Sequence, residues 1–204
     1  MRSITGLLCF LLLGGVVQAQ NAYQKLGQKA LIDGDFKLAV LNLEKAIAAD
    51  SNNVNTLYML GYSYYHASDY KQAINTLSRL ISLRPTENSA YYYRGKARNV
   101  MAMETKTLPI PEREKLLLSA IRDFSSAIQI DGEDIKLYQN RALAYRDYGL
   151  LKADKTSKVY DKTKATDAFK ACIVDFQKVL DINPARKDIS ALLENAKTNL
   201  QNLK

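Results

Sequence analysis

His66 is the single histidine of the 204-residue chain, so neither a histidine metal cluster nor a serine–histidine–aspartate arrangement can be built around a second imidazole. Of the two cysteines, Cys9 lies in an apolar N-terminal run and Cys172 sits where an alanine recurs elsewhere, which favours a buried, inert thiol over a nucleophile. The sequence has no glycine-rich phosphate loop and no carboxylate cluster at cation-binding spacing. Catalysis, a metal and a cofactor are therefore not expected. The residue types that remain suited to recognition are the tyrosines with their polar and basic neighbours. Tyrosine combines contact area with a hydrogen-bonding tip at low entropic cost, which suits the binding of a peptide segment.

The elements that must carry these residues are clearest between Val54 and Pro85. Leu57, Leu60, Gly61 and Tyr64 follow a three-and-four spacing, the chain breaks at Ala67-Ser68-Asp69, and Ala73, Leu77 and Ile81 resume the spacing until Pro85 stops it. Two amphipathic helices joined by a short turn are predicted. The order Leu57, Leu60-Gly61, Tyr64, Ala73-x3-Leu77, Pro85 resembles the W-x2-L-G-x2-Y, A-x3-F, P pattern of the tetratricopeptide repeat, about 34 residues long.

The resemblance extends along the chain. Residues 20–53 form a first repeat through Tyr23, Leu26-Gly27, Ala30, Ala39, Leu43 and Ala46, with Ser51-Asn52-Asn53 ending one helix and capping the next. Residues 54–87 form the second. A third, 88–134, is 47 residues long, with Arg94-Gly95, Arg98, Ala120 and Phe124 in the diagnostic slots. Its surplus is placed between its helices around Met101–Pro111, where Leu108-Pro109-Ile110-Pro111 is extended by its prolines and Pro111 before Glu112-Arg113-Glu114 is a good helix start. A fourth, 135–186, carries Tyr138, Arg141-Ala142, Tyr145, Gly149, Cys172 and Phe176, with its surplus within Leu150–Asp167. Residues 187–204 form a further amphipathic helix through Ile189, Leu192, Leu193, Ala196, Leu200 and Leu203, which would cover the last stacking face. The fold implied is an all-α right-handed superhelix of four tetratricopeptide repeats with a C-terminal capping helix.

One covariation within the chain supports this register. The paired slots hold Leu26 with Asn42 and Leu60 with Thr76 in the first two repeats, but Arg94 with Asp123 and Arg141 with Asp175 in the last two. Both members change together, twice. An arginine and an aspartate facing each other between packed helices form a charge-assisted pair, so these four are assigned as structural ion pairs. The resemblance also implies a concave groove lined by first helices. It places Tyr58, Tyr62, Tyr65, His66, Tyr92, Lys96, Asn99 and Arg146 in that groove; the alternative is that some of the rings pack between neighbouring helices.

The first nineteen residues read as an export signal: Met1-Arg2 is positive, Ile4–Val17 is almost wholly apolar, and Val17-Gln18-Ala19 supplies a small-x-small cleavage site. Its removal leaves Cys172 alone, so no intrachain disulfide is expected, and no transmembrane span is expected in the mature chain. Location in the periplasm or at the cell surface of a Gram-negative-type bacterium follows, and nucleic acid is disfavoured as a partner by that location. The formal net charge is +8, and the fourth repeat contributes much of the excess through Lys152, Lys155, Lys158, Lys162 and Lys164, a loop suited to solvent or to an acidic envelope partner. The function expected is a non-catalytic protein-interaction adaptor of the cell envelope with a tyrosine-rich groove. A glycan- or peptidoglycan-binding module and a self-associating structural subunit are the alternatives.

Overall fold

The computed structural model describes residues 22–105 and 107–203. Among them are nine helices and no strand, and none of the helices is long and apolar enough to cross a membrane. The export signal and its cleavage site lie outside the described residues. The chain divides by its internal contacts into two compact units, one ending at Ala90 and the other beginning at Tyr91.

The first unit holds α1 (22–32), α2 (Phe36–Ala49), α3 (Val54–His66) and α4 (Tyr70–Leu83). Each of the last three starts on a short polar side chain that takes up a free backbone N–H: Asp35 accepts from Leu38 N, Asn53 from Thr56 N and Asp69 from Gln72 N. The turn between helices needs one left-handed residue. Gly34 supplies it in the first repeat at φ 76°, and Ser68 takes the same role in the second at φ 63°. Packing within each pair depends on the glycine slot, because a Cβ on Gly27 would fall 2.5 Å from Leu43 Cγ and one on Gly61 2.6 Å from Leu77 Cγ. Leu57, Leu60, Tyr64, Ala73, Leu77 and Leu80 are buried, whereas Leu26 is half exposed.

The second unit is built from α5 (Asn88–Glu104), α6 (Ile110–Ile130), α7 (Ile135–Ala153), α8 (Lys162–Ile182) and α9 (Lys187–Asn202). Its core joins Phe124, Leu117 and Tyr148 in one cluster and Phe176, Val179, Ile189 and Leu193 in another. The apolar residues of the C-terminal segment face inward as the periodicity requires: Ile189, Leu193 and Ala196 of α9 cluster with Phe176, and Leu203, just past the end of α9, packs with Phe169.

The surplus residues are not mainly loop. The helices α5 and α6 have 17 and 21 residues where α3 and α4 have 13 and 14, so most of Met101–Pro111 is absorbed into longer helices. Pro111 stays inside α6 because it falls in the first turn, where its missing N–H has no intrahelical partner to lose. Helices α7 and α8 lengthen likewise to 19 and 21 residues, leaving 154–161 as the connection. Gly149 lies within α7, where a Cβ would come within 2.8 Å of Phe169. The close helix approach of the repeat is thus repeated in its extension. Lys152 is not a solvated loop residue: it is 4% exposed, pairs with Glu114 of α6 at 2.7 Å and donates to the Val159 carbonyl at 3.2 Å. The two extensions therefore pack side by side through α6 and α7.

Candidate functional site

The row of rings on α3 is set by helical geometry. Tyr58, Tyr62 and then Tyr65 with His66 are spaced one turn apart, on the flank that Leu57, Leu60 and Tyr64 leave outward while they fill the core. The rings touch in sequence. Tyr58 and Tyr62 have centroids 6.2 Å apart, Tyr62 and His66 4.3 Å, and Tyr65 meets His66 edge-on at 5.0 Å. Phe36, the first residue of α2, completes the row by stacking on His66 at 4.6 Å and meeting Tyr62 edge-on at 6.2 Å. Phe36 is not among the residues that the sequence pattern singles out. Its place directly after the capping Asp35, at the mouth of the inter-helix turn, was the available signal. Tyr65 also leans on Tyr70 of α4 at 5.9 Å.

These rings are neither core nor free surface. The three tyrosines and Phe36 are half-buried, and His66 is exposed. Burial pushes the Tyr58 hydroxyl above its ordinary range, partly offset by a hydrogen bond with Ser89, so it stays protonated near neutral pH. Ser89 in turn donates to Glu87 at 2.6 Å. Beside Phe36 and His66, the turns of the first two repeats enclose a hollow of about 480 Å³ edged by Asp35, Lys37 and Ser68.

In the second unit the candidate residues have different surroundings. Tyr92 lies at the edge of the Phe124 cluster, 6.3 Å from that ring and 5.0 Å from Tyr93, and Lys96 holds its ammonium 5.4 Å above the Tyr92 ring. Asn99 and Arg146 are engaged with one carboxylate: Asn99 Nδ2 donates to Asp147 Oδ2 at 3.0 Å, and Arg146 donates twice to Oδ1 at 2.9 and 2.7 Å. Asp147 is 3% exposed, so these two side chains neutralise and solvate a buried charge.

The paired slots are occupied as polar bridges. Arg94 Nη2 donates to Asp123 at 2.7 Å and Arg141 donates through Nε and Nη2 to Asp175, both at 2.8 Å. Asp123 accepts a second guanidinium, Arg98, at 2.6 Å. Cys172 is buried beneath Arg146, and burial pushes its thiol up to about 12, leaving it protonated.

The family profile described as anaphase-promoting complex, cyclosome, subunit 3 matches residues 33–97. Comparison with curated sequences finds no match. Among solved structures, the MamA protein shares 24% identity over 91% of this chain and 90% of its own, with a TM-score of 0.57. YrrB, described as a TPR protein with an unusual peptide-binding site, shares 22% over 88% of this chain and 74% of its own, at 0.58. TTC0263, a thermophilic TPR protein in Thermus thermophilus, shares 15% over 88% of this chain and 99% of its own, at 0.54. At these identities the likeness is one of fold.

Proposed function

We propose that the chain, which has the fold of tetratricopeptide-repeat interaction scaffolds, is a non-catalytic adaptor that binds a protein segment along the aromatic row of α3. The observation that carries this reading is the contiguous contact of Tyr58, Tyr62, Tyr65, His66 and Phe36 on a half-buried surface. Ring faces in such a row accept an extended chain or one side of a helix, and the tyrosine hydroxyls add hydrogen bonds to its backbone. The peptide-binding site named for YrrB supports a peptide as the ligand class. The apolar run Ile4–Val17 followed by Val17-Gln18-Ala19 supports export, and hence an envelope partner in the periplasm or at the cell surface.

Capture from a bacterial envelope extract tests the proposal. A photo-reactive residue at the Tyr65 position should crosslink a discrete protein, and Tyr62→Ala should lower capture per folded molecule by about thirtyfold, the usual effect of losing a central interface tyrosine. If Tyr62→Ala lowers the melting temperature while capture per folded molecule is unchanged, the rings serve only to pack the first repeat on the second. Competition by purified wall polymer would replace the protein ligand with a glycan.

A further inference from the structure

The first helix pair carries leucines on an outer face where later pairs carry polar residues. In α2, Leu38 and Leu41 flank the buried Ala39, and they are 45% and 51% exposed. Counted from the same alanine slot, α4 has Gln72 and Asn75, and α6 has Ser119 and Arg122. Leu26 of α1 is 51% exposed, whereas Leu60, its counterpart in α3, is 4% exposed where α3 packs on α2. The three leucines share one side of the pair. Leu38 and Leu41 lie one turn apart on α2. Asn42, whose side chain donates to the Leu38 carbonyl at 2.9 Å, occupies the slot that faces Leu26, as Asp123 faces Arg94 in the second unit.

Single exposed leucines are ordinary, but a contiguous group of them marks a contact surface. The face is a stacking face of the kind that α3 offers to α2, so its shape suits a second helix pair. Its charge is close to balance. Residues 22–49 hold four lysines and three carboxylates, which selects neither an acidic nor a basic partner and favours one that is itself apolar. A contact related by a two-fold axis meets that condition with one patch used twice, and it closes at two copies. Stacking in series would need an apolar outer face on α9, which instead exposes Lys187, Asp188, Glu194 and Asn195.

We propose that this face is the contact between two copies of the chain, with Leu26, Leu38 and Leu41 of each packed against the same residues of the other. The contact is separate from the α3 row and does not rest on that reading. Helices α1 and α2, about 16 and 21 Å long and side by side, give a face at the small end of specific interfaces. The dimer is therefore reversible, with dissociation in the micromolar range. Because the contact is apolar, salt does not break it.

Sedimentation equilibrium of the full chain across the micromolar range should show a monomer–dimer exchange that high salt leaves intact. Leu41→Lys should weaken it at least about tenfold, and so should Leu26→Lys. Both positions are half exposed, and Leu38→Gln, the residue type that α4 carries there, provides a third variant should either fail to fold. Tyr62→Ala should leave the exchange unaltered, which distinguishes failure here from failure of the α3 reading. Val174→Lys should leave it unaltered too, although Val174 fills the slot of Leu41 in α8 and is 66% exposed. In the living cell, a photo-reactive residue at position 41 should give a product of two copies. The proposal is overturned if the full chain stays monomeric throughout that range, or if the folded leucine variants associate like the parent. It is equally overturned if Val174→Lys dissociates the pair, which would make the contact head-to-tail. A crosslink from position 41 to residues 1–21, or to a different protein in place of a second copy, overturns it as well.

Discussion

Replacing Asp175 by threonine, the residue type that Thr76 provides in the second repeat, should expose how much the ion pair of the fourth repeat contributes. The Asp175 side chain is 5% exposed and Arg141 21%, so the substitution strands a guanidinium with limited access to water. Breaking a buried pair from one side costs about 3–5 kcal/mol. Arg141 keeps a bond to Ser125 Oγ at 3.1 Å and its contact with the Tyr138 ring at 5.6 Å, which places the loss at the low end, about 3 kcal/mol. For a domain of this size that is a fall in melting temperature of about 6–12 °C. Asp123→Thr should cost more, about 4–5 kcal/mol, because Arg94 and Arg98 both lose their anion and then face each other. The repair is present in the chain itself. Arg141→Leu combined with Asp175→Thr reproduces the Leu60 and Thr76 pairing and should melt within about 1 kcal/mol of the parent, since apolar replacement of a buried pair is close to neutral. Calorimetry on the two single variants and the double completes the cycle. If Asp175→Thr melts with the parent, or if the double variant melts as low as the single, the pair is not what holds these helices.

Lys152→Met should destabilise by about 1–2 kcal/mol, because the Val159 carbonyl loses its donor and Glu114 its cation, and limited proteolysis should then cut faster within 154–161 than it does in the parent. Ser68→Gly should raise stability by up to about 1 kcal/mol by removing a side chain from a left-handed position at φ 63°; an unchanged melting temperature would mean the turn relaxes at no cost. Burial, with Glu114 second, pushes the Tyr148 hydroxyl up to about 12, and burial also raises Tyr58, Tyr64 and Tyr145. The folded chain therefore holds these protons more tightly than the unfolded chain, whose tyrosines titrate near 10. Stability from this source is complete below about pH 10 and is lost as the pH rises through about 12, and Tyr148→Phe should flatten that decline in melting temperature.

The parts of the fold legible in the sequence were those fixed by neighbours a few residues apart. Asp35, Asn53 and Asp69 announce helix starts because each caps an N–H three residues on, and Gly61 is readable because its slot recurs with Leu77 opposite. The arginine and aspartate slots were legible for a different reason: the change occurred twice, in step, within one chain. What escaped was decided by distant partners. Nothing local distinguishes Lys152 from Lys155, yet one is buried on Glu114 and the other exposed, and the turn of α7 that ends at Ala153 depends on that contact. Pro111, by contrast, was readable as a helix start from its place before Glu112-Arg113-Glu114, since a proline in the first turn of a helix breaks nothing.

The candidate groove residues show the same limit in its sharpest form. A slot number gives the direction in which a side chain leaves its helix, and says nothing of what it meets. In α3 the slots hold tyrosines, whose rings meet one another and Phe36, so the surface stays aromatic and half open. In the second unit the corresponding slots hold Asn99 and Arg146, and both are drawn onto Asp147 because a buried carboxylate without partners would cost more than either side chain gains from solvent. Tyr92, given the phenylalanine core beside it, settles against Phe124. Identical positions in the repeat thus become a half-open aromatic row in one place and an internal tie in another. Residue chemistry, applied to the partners within reach, decides which.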